Sequence, residues 1–256
     1  MDQNFLFRGF TNIFKVSINK ELCNLQKLIY LNTKNYLIKH KESITLEEKV
    51  NLNFKEIPAE KEWSYLMETV NNSDELKNLI NSEGIKFAFN KIFKNPIPFE
   101  ISTFRARFPN QQRVIYNWHQ DEGTWFLSKN RNHLNKFPAT LWLSINGATK
   151  EDSIQLVKFS HNEKLYDHKF IKEQGYFSIG KKKKINSDKI FTVETNSSEC
   201  FIFHPLILHR SVPVTKISLR PRYTVDIRYF DKGFQPGFKT DFSFNIKRLI
   251  KNCYNK

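Results

Sequence analysis

The sequence predicts an α+β protein: a double-stranded β-helix (jelly roll) core with N-terminal helices packed on it. Three observations carry this. Apolar residues recur at the helical period through the first ninety or so residues. From about Glu100 the pattern changes to period two, in many short segments with polar connections and no helical stretch between them. Two histidines and a carboxylate then fall at strand ends, which in a jelly roll converge on one mouth. Helices first and strands later is α+β order. The expected division is residues 1–95 as a mainly helical part of the same domain and residues 96–256 as the jelly-roll core.

The helices are read in order. Glu21 to Leu37 carries Leu22, Leu25, Leu28, Ile29 and Tyr36 near the helical spacing. Thr45 and Glu48 form a capping box for the next helix. Pro58 suits the first turn of a helix through Trp63, Leu66 and Val70. Asn72 or Ser73 caps a short helix with Leu76, Leu79 and Ile80, and Gly84 is its expected stop.

The strands follow. Ile101, Thr103, Arg105 and Arg107 alternate with Ser102, Phe104, Ala106 and Phe108. Further candidates are Val114–His119, Ala139–Ile145, Ser153–Phe159, Lys189–Glu194, Glu199–Phe203 and Tyr223–Phe230. In the last, Tyr223, Val225, Ile227 and Tyr229 oppose Thr224, Asp226 and Arg228.

Composition sets the bounds. A chain of 256 residues, 39% hydrophobic and with 24 phenylalanines, has material for one large core. Cys23, Cys200 and Cys253 lie far apart with no Cys-x-x-Cys pair, which gives no support to a zinc ribbon or redox motif. No run of about 18 apolar residues predicts a membrane span, and the N-terminus has no long apolar stretch of a signal peptide. A reducing, cytoplasmic setting is expected. The net charge of +15 is diffuse, and its densest run, Lys181–Lys184, follows Gly180 as an expected hairpin tip. Charge of that kind is a weak footprint for nucleic acid, which is not an expected partner.

His119, Gln120 and Asp121 close the run that begins at Val114. In an extended strand His119 and Asp121 share a face and Gln120 points away. His209 ends a later apolar run, and Arg220 follows eleven positions on. Two histidines and one carboxylate are the ligand set of a non-haem Fe(II) site with open positions. With 7 histidines and 26 acids a chance His-x-Asp is common, so the weight lies in the joint pattern. His204 competes with His209, but it precedes Pro205 and lacks the arginine partner. A turn after His209 would return Arg220 beside it, where a planar guanidinium could grip a carboxylate through two hydrogen bonds. Arg222 and Arg228 are nearby alternatives.

The stretches Trp118–Trp125, Thr140–Ile145, Phe159–His161 and His209–Pro213 through Arg220 resemble the phytanoyl-CoA dioxygenase family of Fe(II)/2-oxoglutarate oxygenases. The resemblance implies that His119, Asp121 and His209 ligate iron and that Arg220 binds the distal carboxylate of 2-oxoglutarate. It further implies Ser211 as the hydroxyl assisting that arginine, Gln120 and Trp142 as co-substrate neighbours, and Arg105 or Arg107 as another anchor. Phe159 and Val214 depart from the family's glycine and asparagine. The resemblance does not extend to the N-terminal ninety residues, which are expected to cover the substrate.

The expected activity is oxidation of a small metabolite or carbohydrate-like biosynthetic intermediate by O2, with 2-oxoglutarate converted to succinate and CO2. Trp118, Glu122 and Trp125 are the expected substrate residues. The rivals are a cupin-type metal enzyme that works without 2-oxoglutarate, against which Arg220 argues, and a non-catalytic jelly-roll binding protein, which would tolerate loss of a ligand.

Overall fold

The computed structural model describes residues 2–38, 44–56, 58–99, 101–108, 116–125, 138–171, 176–179, 184–213 and 220–232. Helices come first: α1 (Gln3–Arg8), α2 (Asn19–Thr33), α3 (Leu46–Val50), α4 (Glu60–Asn72), α5 (Asp74–Ile80) and α6 (Glu83–Phe89), with one short strand, β1 (Phe14–Lys15), after α1. Strands follow: β2 (Pro96–Pro98), β3 (Thr103–Arg107), β4 (Ala139–Ser144), β5 (Ile154–Val157), β6 (His168–Ile171) and β7 (Tyr176–Ile179). The last four are β8 (Ile190–Thr192), β9 (Glu199–Phe203), β10 (His209–Ser211) and β11 (Arg222–Asp231). One short helix, α7 (Asp121–Trp125), falls between β3 and β4.

Local chemistry places the helix ends. The Thr45 hydroxyl accepts from the Glu48 N–H, and the Glu48 carboxylate accepts from the Thr45 N–H. The Ser73 hydroxyl accepts from Leu76 N–H and starts α5. Pro58 sits just before the Ala59 cap of α4 rather than inside its first turn. Gly84 does not stop a helix. It lies in the first turn of α6, where a Cβ would come within 2.3 Å of the Ser17 carbonyl oxygen. Close approach, not a left-handed turn, is what needs glycine there.

The major sheet runs β1-β9-β4-β11, and the far edge of β11 is shared by β2 and β3. The minor sheet runs β10-β5-β8, and β6 and β7 form a separate hairpin. All pairings are antiparallel. This is the expected jelly roll. The long β11 organises it, because Thr224–Tyr229 pairs with β4 on one side while Arg222–Asp226 pairs with β3 on the other.

Alternation separates two environments. Tyr223, Val225, Ile227 and Tyr229 of β11 join Leu141, Leu143, Cys200 and Ile202 on the outer face. There they pack on Leu25, Ile29, Leu66, Val70, Leu79 and Phe89 of the helices. Burying each such side chain contributes about 1.5–3 kcal/mol. Their neighbours Trp142, Phe201 and Phe203 face Ile154, Leu156 and Ile207 between the sheets. The polar members of β11, Arg222, Thr224, Asp226 and Arg228, are buried as well. The helices therefore back the sheet on its apolar outer face. Among the described residues no helix is long and apolar enough to cross a membrane. Val114, Ile115 and Lys181–Lys183 lie outside the described residues, so the first part of the expected strand and most of the lysine run do too.

Candidate metal centre

Segment 116–119 runs beside β10. His119 and His209 exchange both backbone hydrogen bonds, and Ser211 N–H donates to the Tyr116 carbonyl. Three steps on one chain thus match two on the other, so the segment carries an extra residue at Asn117–Trp118. Bulges of this kind re-aim side chains next to active sites. The strand does not continue to Asp121 as expected. Asp121 instead opens α7. His119 and Asp121 still reach one point, from a strand end and the first turn of a helix, and His209 joins them from β10. Ligand atoms of the three lie within 4.8 Å of one another, and all three residues are buried.

The ring orientations are fixed by the backbone. His119 Nδ1–H donates to the Asn117 carbonyl at 2.7 Å, and His209 Nδ1–H donates to the Ile207 carbonyl at 3.0 Å. Each hydrogen bond occupies Nδ1 and leaves Nε2 as the nitrogen that can serve as a ligand. His209 Nε2 lies 3.6 Å from Asp121 Oδ1. A ring nitrogen and a carboxylate oxygen thus face each other in a buried place, an arrangement suited to sharing one cation. The donor set therefore fits a divalent first-row metal. Burial and the neighbouring His209 push the His119 ring well below its usual pKa. Burial alone would raise the Asp121 carboxyl, but Arg228, His209 and His119 hold it below the ordinary carboxylate value.

The other expected residues divide. Ser211 lies two positions beyond His209 on β10, and its hydroxyl accepts from Tyr116 N–H. Trp142 faces between the sheets, with the Arg222 guanidinium 5.6 Å from its ring centre. Gln120 is turned elsewhere. Its amide nitrogen donates to the Leu206 carbonyl, its amide oxygen accepts from Tyr166 N–H, and its backbone N–H donates to His168 Nε2. It ties three loops together. Trp118 packs against Val157, Ile179 and Leu208, under the Arg210 guanidinium at 4.5 Å. Glu122 is buried in the first turn of α7, and the Trp125 side chain lies outside the described residues. His204 packs near Phe5 and His161, away from the three ligands.

The arginine geometry departs most from expectation. Arg220 donates to Asn51 Oδ1, to the Asn146 and Gly147 carbonyls and to Asp152 Oδ2, so its fork ties the end of α3 to the segment 146–152. Arg222 opens β11 in register with Arg107 of β3. Both are buried. Among the described residues Arg222 Nε and Nη1 and Arg107 Nη1 meet no hydrogen-bond partner. Burial and the facing Arg107 push the Arg222 guanidinium down to about 10, still charged at neutral pH. Two adjacent buried cations with unmet donors favour the arrival of an anion that can take those donors. Thr140, at Asp121, was not singled out as a site residue by the sequence, and Arg228, weighed there only as an alternative to Arg220, lies at Asp121 as well. The inward parity of β11 and the position of Thr140 two residues before Trp142 are the signals that point to them.

The model of the family described as Phytanoyl-CoA dioxygenase (PhyH) matches residues 39–221. The chain belongs to this family. As a PhyH member it is an iron- and 2-oxoglutarate-dependent oxygenase. No curated protein matches it in sequence. Among solved structures it is similar to the non-heme monooxygenase ThoJ, at TM-score 0.57 and 12% identity over 99% of this chain and 97% of that one. It is also similar to EvdO2 from Micromonospora carbonacea var. aurantiaca, a structure complexed with 2-oxoglutarate, at TM-score 0.56 and 13% identity over 94% of each chain. The carbocyclase SnoK from nogalamycin biosynthesis gives TM-score 0.55 and 13% identity over 95% of this chain and 88% of that one. These likenesses concern the fold, and it is the jelly roll of this PhyH protein.

Proposed function

We propose that the protein hydroxylates a small metabolite or carbohydrate-like biosynthetic intermediate. One O2 and one 2-oxoglutarate are consumed, and succinate and CO2 leave as co-products. The observation that carries the site is the convergence of three buried ligand residues, with His209 Nε2 3.6 Å from Asp121 Oδ1 and His119 beside them. His119, Asp121 and His209 would hold the iron. When bound, iron supplies the chelation of the keto acid and the activation of O2. The protein supplies position, charge and exclusion of water.

Arg222, helped by Arg107, would take the distal carboxylate of 2-oxoglutarate. Both guanidiniums are charged and buried, with donors unmet among the described residues. Ser211 and Trp142 flank this region. The substrate would lie near Tyr116 and Tyr176, whose rings are 4.5 Å apart and 5.9 and 6.1 Å from the His119 ring. An aromatic wall beside the metal suits the flat apolar face of a sugar-like or ring-bearing molecule. The similar folds of the carbocyclase SnoK and the epimerase SnoN, both from nogalamycin biosynthesis, support a small-molecule substrate.

Succinate release measured against a panel of small glycosylated metabolites, with single-stranded DNA and RNA as controls, tests the substrate class. Stimulation by a ring-bearing small molecule is expected. Stimulation by nucleic acid alone would overturn the assignment.

A further inference from the structure

We propose that Thr140 and Arg228 make Asp121 a one-oxygen ligand, and so keep a metal position open for the co-substrate. The proposal rests on the metal-centre reading above. Oδ1 of Asp121 faces His209 Nε2. Oδ2 is taken up elsewhere: it accepts from the Thr140 hydroxyl at 2.6 Å and lies 3.7 Å from Arg228 Nη2.

The guanidinium that reaches Asp121 is itself held. Arg228 Nη1 donates to the Ile101 carbonyl at 2.6 Å, and Nη2 lies 3.7 Å from Asp226 Oδ2. Asp226 pairs in turn with Arg105 Nε at 2.5 Å, and Arg105 Nη1 donates to the Tyr116 hydroxyl at 2.8 Å. Asp121, Arg228, Asp226 and Arg105 thus form a ladder of alternating charge along the inside of the barrel. Thr140 and Arg228 are register partners across β4 and β11, so two paired strands aim at one oxygen.

A carboxylate binds a divalent ion through one oxygen or through both. Here the two-oxygen mode would break a short hydrogen bond and an ion pair inside the protein. Leaving a buried polar group unmet is unfavourable. One-oxygen binding is therefore the favoured mode. With two histidines it leaves three octahedral positions, enough for a chelating keto acid and O2. Thr140 and Arg228 act through Asp121 and are positioning residues. Their effect falls on whether the co-substrate chelates, not on whether the metal binds.

The test uses Thr140→Val, Arg228→Lys and the double variant, kept anaerobic. Fe(II) affinity is titrated first. Then 2-oxoglutarate is titrated by its metal-to-ligand charge-transfer band. Thr140→Val nearly preserves shape and removes the hydrogen bond. It is expected to raise the half-saturating 2-oxoglutarate concentration about tenfold or more, the scale of losing a hydrogen bond to a metal ligand, while Fe(II) affinity and melting temperature stay near wild type. Arg228→Lys keeps the cation and is expected to show a smaller rise, with the double variant worst. Parallel loss of Fe(II) and 2-oxoglutarate binding in Thr140→Val, or no change in either, would overturn the proposal. Wild-type protein that binds no Fe(II) would instead sink the metal-centre reading on which it rests.

Discussion

His119 and His209 hold each other by two backbone hydrogen bonds of 2.9 Å, one in each direction. The two imidazoles are therefore placed by main chain, and each ring is then turned by a carbonyl two residues before it. Removing either side chain leaves the pairing intact. His209→Ala is expected to keep the fold and to lose metal affinity by on the order of a hundredfold or more, beyond the loss typical of a residue that only hydrogen-bonds a ligand. Calorimetric Fe(II) or Co(II) titration beside a thermal melt checks this. A large drop in melting temperature with metal binding retained would contradict it.

The two arginines after His209 have separable roles. Arg222→Gln is expected to raise the 2-oxoglutarate requirement about 10- to 100-fold, from loss of charged hydrogen bonds worth about 1.5–3 kcal/mol. Arg220→Gln breaks the contacts to Asn51, Asn146, Gly147 and Asp152. It is expected to lower the melting temperature and leave that requirement near wild type. The reverse assignment of effects would return the carboxylate to Arg220.

Gly123 is a packing requirement. A Cβ there would lie 2.1 Å from the His168 ring, whose Nε2 accepts from Gln120 N–H inside the ligand triplet. Gly123→Ala is expected to destabilise by about 1–3 kcal/mol, the usual cost of overpacking, and to weaken metal binding by displacing the triplet. Chemical denaturation measures the first effect and metal titration the second. Wild-type values for both would show that the ring shifts freely.

What the sequence made legible was periodicity and local chemistry. The alternation of Tyr223, Val225, Ile227 and Tyr229 against polar neighbours is present in β11, and the Thr45 capping box is formed. His119, Asp121 and His209 do converge. What was hidden depends on distant partners. Spacing brought an arginine back towards His209, but parity does not separate Arg220 from Arg222. The choice turns on where β11 begins and on Asp152 capturing Arg220. Gln120 looked like a co-substrate neighbour, yet Leu206 and Tyr166 take both ends of its amide. Gly84 looked like a helix stop because the close approach of Ser17, from another segment, leaves no trace in local sequence.

Acid should destabilise the metal-free protein. Burial lowers the rings of His119, His161 and His168 below the ordinary value of 6.5, and His168 falls to about 4. A folded-state value below the unfolded one means that the unfolded chain takes up the protons first. Stability is then full above pH 6.5 and is lost as pH falls through the window towards 4. The melting temperature of the apoprotein should fall from about pH 7 to about pH 5, with a shallower slope in His168→Gln. A flat profile, or the same slope in the variant, would contradict this.

The central claim is that His119, Asp121 and His209 hold iron in a form that chelates 2-oxoglutarate. Anaerobic addition of Fe(II) and 2-oxoglutarate tests it most directly. The wild-type protein should develop a visible metal-to-ligand charge-transfer band, and the band should vanish in Asp121→Ala. Iron bound by the wild type with no band on adding 2-oxoglutarate, or a band that survives intact in Asp121→Ala, would contradict the account.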